Sequence, residues 1–144
     1  MNKLETITKS DPYIFIKSNV SFHEYNMHNY IYNLKILNVP KIINYDKNLK
    51  QMTMVRIPSM SLSDYYGEEI DQVPESIVNE VRLIIKKLQS NNITYPDITG
   101  YNFIRNNNKI WIIDFEHCYF DFEKSDSFVN DFINDINSWN PNFK

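Results

Sequence analysis

Three side chains in the stretch 93–116 have the types and spacing to do chemistry. Asp97 is an isolated carboxylate after Pro96, Asn102 is an amide five residues on, and Asp114 is a second carboxylate ending the apolar run Ile110-Trp-Ile-Ile113. Phosphoryl transfer uses such a set. One carboxylate orients the attacking hydroxyl and accepts its proton, while an amide oxygen and a second carboxylate, both hard oxygen donors, hold Mg²⁺ against nucleotide phosphates. Taken singly, the three residues are ordinary punctuation, an acid in a Pro-Asp turn, an amide before a strand and an acid after one. Their joint spacing is what points to catalysis.

The elements around them support that spacing. Ile110 to Ile113 reads as a buried strand, so Asp114 emerges at its end. Phe103-Ile104 and Ile110 to Ile113, joined by the Asn-rich turn 105–109, read as a hairpin that brings Asn102 close to Asp114.

The order Asp97-Ile-Thr-Gly-Tyr-Asn102 resembles the catalytic loop of the protein-kinase-like superfamily, H-R-D-L-x-x-x-N, and Asp114-Phe115 resembles the start of its D-F-G metal loop. The sequence departs from that pattern in two places: Tyr95-Pro96 stands where His-Arg is usual, and Glu116 stands where glycine is usual. Ile113-Asp-Phe-Glu116 is similar instead to choline kinases and aminoglycoside phosphotransferases, small-molecule members of the superfamily. Glu116 is either an additional or water-mediated Mg²⁺ ligand or a solvent-facing acid. The resemblance implies ATP and Mg²⁺ as cofactors and a serine/threonine-kinase-like transfer to a protein or small-molecule hydroxyl.

At 144 residues with a net charge of −3, the chain is expected to form one domain that buries roughly two thirds of its unfolded surface. One cysteine, Cys118, excludes an intramolecular disulfide and a Cys-based zinc site. No apolar run reaches the ~20 residues of a membrane span and no signal peptide is evident, so a cytoplasmic home is expected, with no membrane partner. Both charge signs are interspersed, which leaves no electrostatic footprint for nucleic acid. Alanine is absent and glycine occurs only at 67 and 100, so positive-φ positions fall to Asn and Asp. This bias, with the shortness of the chain, resembles the reduced kinase-like proteins of large DNA viruses.

The rest of the chain reads in the same terms. Residues 4–9 and 13–17 are β-prone runs joined by Ser10-Asp-Pro12. Ile14-Phe-Ile-Lys17 resembles the strand whose lysine grips nucleotide phosphates, which makes Lys17 the phosphate clamp. No glycine-rich lid fits before it. Ser21-Phe-His-Glu24 reads as a capping box opening a helix with Met27, Ile31 and Leu34 on its apolar face. Glu24 either completes that box or pairs with Lys17, as the corresponding helix glutamate does in kinases. Ile42 to Tyr45 and Gln51 to Ile57 form a strand pair. In the resemblance Met54 is the gatekeeper, peptide groups of Val55 to Ile57 hold adenine on a strand edge that nothing else pairs, and Ser61 and Asp64 reach the ribose. Pro74 opens a helix with Ile77, Val78, Val81, Ile84, Ile85 and Leu88 as its core stripe. A last helix from Ser125 or Asp126 places Phe128, Phe132, Ile136 and Trp139 on one face.

The expected fold is α+β, a minimal two-lobed kinase-like domain over 1–144. Its N-lobe (1–57) is an antiparallel sheet plus one helix, its hinge covers 55–61, and its C-lobe (61–144) is mainly helical and lacks the ~100 residues that form a protein kinase's substrate platform. Two functions remain open: transfer with Asp97 as base and Asn102 and Asp114 as metal ligands, or a pseudokinase that engages a partner without chemistry.

Overall fold

The computed structural model describes residues 13–143; the expected strand at 4–9 and its turn at Ser10 to Pro12 lie outside them. Three strands, β1 (Ile14–Lys17), β2 (Ile42–Asp46) and β3 (Gln51–Val55), form an antiparallel sheet in the order β1-β3-β2. The β2–β3 turn closes locally. Asp46 Oδ1 accepts the N–H groups of Asn48 and Leu49, both at 3.0 Å, and Lys50 supplies a left-handed residue with φ 51°. Register sets Lys17 opposite Met52 and Phe15 opposite Met54.

Helix α1 (Phe22–Leu34) starts where the sequence signals it, with Ser21 Oγ accepting the Glu24 N–H at 3.0 Å. It ends on Lys35 in the left-handed region at φ 58°. The helix serves two cores. Val20, Met52 and Met54 form a small cluster under the sheet, flanked by Tyr25, Ile42 and Tyr45. Met27, Ile31 and Val39 instead join the large core, beside Leu62, Phe115 and the helix that follows.

That large core is organised by α3 (Glu75–Ser90), reached through α2 (Leu62–Tyr66) and a 3-10 turn at Ile70–Gln72. The expected stripe of Ile77, Val78, Val81, Ile84, Ile85 and Leu88 is buried throughout. Pro74 is the cap of α3 and not its first residue. After α3 comes β4 (Ile93–Thr94), then the hairpin of β5 (Phe103–Asn106) and β6 (Lys109–Ile112), whose two-residue turn has Asn107 and Asn108 at φ 51° and 60°. Positive φ at both positions matches the right-handed twist of the strands, and asparagine tolerates it where glycine is scarce. β7 (Tyr119–Phe120) folds back onto β4, a pairing too short to announce itself in sequence.

The last helix, α4 (Ser127–Ile133), is shorter than its pattern suggests. Buried Arg82 packs against its C-terminal end: its guanidinium donates to the carbonyls of Phe132 and Ile136, the latter at 3.2 Å, and to Asn137 Oδ1 at 2.8 Å. The Phe132 carbonyl also accepts the Asp135 N–H at 3.3 Å, and the Ile136 N–H turns back to the Asp131 carbonyl at 3.0 Å, closing the helix end. Asp135 turns left-handed at φ 77°, Ile136 is exposed, and Trp139 is buried from the irregular chain beyond the helix. The whole is a kinase-like α+β fold.

Candidate functional site

A cleft of about 290 Å³ lies between the sheet and the β5–β6 hairpin, near the lower end of small-molecule sites. Met52, Met54, Phe15, Ile104 and Ile113 line its apolar walls; Lys17, Glu24 and Asp114 gather on its polar side. Each of the three arrives from a different element. Lys17 ends β1, Glu24 sits in the first turn of α1, and Asp114 follows β6 in the left-handed region at φ 64°. Ninety-seven residues of separation close to 3.4 Å between Lys17 Nζ and Asp114 Oδ1, while the same ammonium lies 2.5 Å from Glu24 Oε2. Of the two roles open to Glu24, its carboxylate takes the ion pair.

Burial and charge work against each other here. Burial opposes the Lys17 ammonium, but Glu24 and Asp114 outweigh it and hold its pKa above the ordinary lysine value. Burial pushes the Glu24 carboxyl up against the pull of Lys17. His28, on the cleft wall, bonds the Pro40 carbonyl at 2.7 Å, and burial drops its pKa to about 4, so it is neutral near pH 7.

Asp97 and Asn102 do not line this cleft, but the Asp97 carboxyl lies near enough to feel the charge of Asp114. Both are buried, and Asn102 Nδ2 donates to the Asp97 carbonyl at 2.8 Å, closing the loop on itself and leaving the amide oxygen as its acceptor atom. The Asn102 carbonyl in turn accepts the Ile113 N–H at 3.0 Å, which ties that loop to the strand end carrying Asp114. Burial raises the Asp97 pKa to about 6, reinforced by the charge of Asp114 and opposed by Asn102 and His117. Gly100 packs closely on α2: a Cβ there would stand 2.1 Å from Ser63 Oγ and 3.2 Å from the Ser63 nitrogen, so the Ser63 side chain would have to turn away.

Carboxylate oxygens of Glu24, Asp114 and Glu116 all lie within 4.8 Å of one another. Hard anionic donors at that spacing fit Mg²⁺ or a similar cation, Asp114 and Glu116 being the two whose carboxylates the Lys17 pair leaves more open. Glu116 is exposed, 3.9 Å from His117 Nε2.

The hinge differs from expectation in detail. β3 is the central strand, paired on both sides, and the Val55 N–H is committed to the Lys41 carbonyl at 2.9 Å, the Arg56 N–H to that of Tyr13 at 3.0 Å. Only beyond Arg56 does the backbone leave the ladder. The Ile57 N–H makes no backbone bond among the described residues, while its carbonyl accepts from Ser59. Ser61 and Asp64 do not line the cleft: Ser61 caps α2, accepting the Asp64 N–H at 3.1 Å and donating to Asp64 Oδ2 at 2.9 Å.

Two supporting residues escaped the sequence reading. Fully buried Tyr95 donates its hydroxyl to the Ile113 carbonyl at 2.5 Å, next to Asp114, and packs edge-on against Phe103 and Phe115. Asn140 holds the Asp97 segment from outside, its N–H on the Ile98 carbonyl and its Nδ2 on that of Pro96, both at 2.8 Å. Tyr95 was visible only as a departure from a motif, and Asn140 gave no signal.

The RIO domain family model matches residues 9–138. No curated protein matches the chain.

Proposed function

The chain belongs to the RIO domain family, an atypical protein-kinase-like family, and from that premise we propose that it is a Mg²⁺-dependent phosphotransferase moving the γ-phosphoryl group of ATP to a protein or small-molecule hydroxyl. The convergence of Lys17, Glu24 and Asp114 on one side of an apolar cleft supports this reading most directly. Adenine occupies the apolar part, where Met54 backs the ring and the Ile57 N–H offers a donor clear of the ladder. Glu24 aims the Lys17 ammonium at the phosphates.

Asp114, Glu116 and Asn102 would hold Mg²⁺, which when bound neutralises charge on the phosphates. Asp97 positions the acceptor hydroxyl and takes its proton; a pKa of about 6 leaves it mostly ionised at pH 7 while keeping it a better base than an ordinary aspartate. Asp97 and Lys17 are therefore the catalytic pair.

The test has two parts. ATP with Mg²⁺ at ~100 times its dissociation constant should stabilise the protein by about 2.7 kcal/mol, read as a thermal shift. Asp97→Asn should leave that shift in place and lower turnover about a hundredfold or more. No shift with either ATP or GTP refutes the nucleotide site. A shift with turnover unchanged by Asp97→Asn removes Asp97 from the chemistry, and a shift without turnover makes the protein a nucleotide-binding scaffold.

A further inference from the structure

Away from the cleft, the exposed side of α3 forms one wall of a groove of about 380 Å³, closed by the loop at 35–38 and the β5–β6 turn. A second hollow continues it toward Asn91, sharing Ile36, Leu83 and Lys87. Ile36, Leu37, Leu83 and Ile110 supply the groove's apolar part, with Asn38 and Asn108 among its polar groups, and Leu83 is 59% exposed on the middle of the helix. Its rim is basic. Lys35, Lys86, Lys87 and Lys109 surround it against the single acid Glu80, a local excess of base on a chain of net charge −3. None of the four lysines makes a salt bridge among the described residues, although Lys35 lies over the Tyr32 ring.

The complementary shape is on the same molecule, beside the groove's end. Asp121 donates its N–H to the Asn92 carbonyl at 2.8 Å, so the loop after β7 projects next to Asn91. That loop reads Phe120-Asp-Phe-Glu123. Phe122 is 76% exposed, Glu123 is exposed, and the Asp121 carboxylate holds the turn by accepting from Ser125. Lys124 is the opposing charge within it. With Asp121 engaged in its own turn, an exposed aromatic side chain beside the exposed Glu123 carboxylate matches apolar side chains rimmed by lysines.

We propose that this face is a self-complementary interface: the groove of one copy receives Phe122 and the Glu123 carboxylate from a second copy, and the reverse contact forms about a two-fold axis. Adjacent opposite patches are what an isologous dimer needs. A nucleic acid suits the groove less well, because Glu80 faces the same space and no aromatic ring lines it for base stacking.

Sedimentation velocity of the full chain across a concentration series tests the contact. Wild type should pass from monomer to dimer, less readily at high salt. Lys87→Glu and Glu123→Lys should each raise the dimer dissociation constant by about tenfold or more, and the two together should restore it. Phe122→Ser should weaken the dimer at every salt concentration. A wild-type monomer throughout, an assembly larger than a dimer, an association that either charge reversal leaves unchanged, or a double variant that stays monomeric would overturn the proposal.

Discussion

Replacing Asp97 with asparagine should make the protein more stable while lowering the proposed transfer about a hundredfold or more. The residue is only 8% exposed, and its carboxyl pKa is raised from 3.8 to about 6, first by burial and then by Asp114. At about 1.4 kcal/mol per pH unit, the ionised form is disfavoured in the folded chain by up to about 3 kcal/mol, an upper bound because the surroundings relax around the charge. The direction follows from proton uptake. The folded chain keeps this proton between pH 3.8 and about 6 where the unfolded chain has released it, so stability falls as pH rises through that window. Asparagine has the same shape and no charge. Above pH 7 Asp97→Asn should therefore melt higher than wild type, by up to about 9 °C at roughly 3 °C per kcal/mol for a chain of this size. Below pH 4 the two should converge. Calorimetry of both proteins at pH 4 and pH 8, in chelator so that no metal offsets the charge, measures the gap. A variant no more stable than wild type at pH 8, or equally stabilised at both pH values, refutes the account of Asp97 as a strained base.

Lys17→Met removes the partner of Glu24, whose side chain is 2% exposed, and should cost about 3–5 kcal/mol in urea denaturation. The deficit should shrink as pH falls, because the orphaned carboxyl is then protonated. Gly100→Ala should lose about 1–3 kcal/mol by driving a methyl into Ser63 Oγ, and Ser63→Gly in the same chain should recover most of it in thermal melts. Asn108→Val puts a β-branched residue at φ 60° and should cost about 1–2 kcal/mol, measured by chemical denaturation.

Local rules were readable in the sequence, and long-range ones were not. Ser21 caps α1 as its spacing implies, the α3 stripe is buried, and the Asn-rich turn forms the hairpin, because each depends on residues a few positions apart. Lys17 and Asp114 were separately conspicuous through resemblance to a known family. Their meeting rests on tertiary packing. Helix α4 ends against Arg82, fifty residues upstream, which donates to the Phe132 carbonyl, a contact no local pattern announces. The β4–β7 bridge is two residues long on each side. Ser61 and Asp64 had the right polarity for a ribose but satisfy one another in a cap. Tyr95 and Asn140 brace the Asp97 loop through contacts 18 and 44 residues apart, beyond any periodic pattern.

The two-sided burial of α1 bears on control. In a design where the glutamate-bearing helix swings away to disarm the lysine, the helix must be cheap to move. Here Met27 and Ile31 are sunk in the same core as Leu62 and Phe115. At about 1.5–3 kcal/mol for each large apolar side chain exposed, pulling both free costs about 3–6 kcal/mol before the Lys17–Glu24 pair is broken. At equilibrium the displaced form is then rarer than about one molecule in a hundred, and at the upper figure rarer than one in ten thousand. A swing of α1 would therefore have to be driven by a ligand or partner whose preference for the displaced form is worth at least that much.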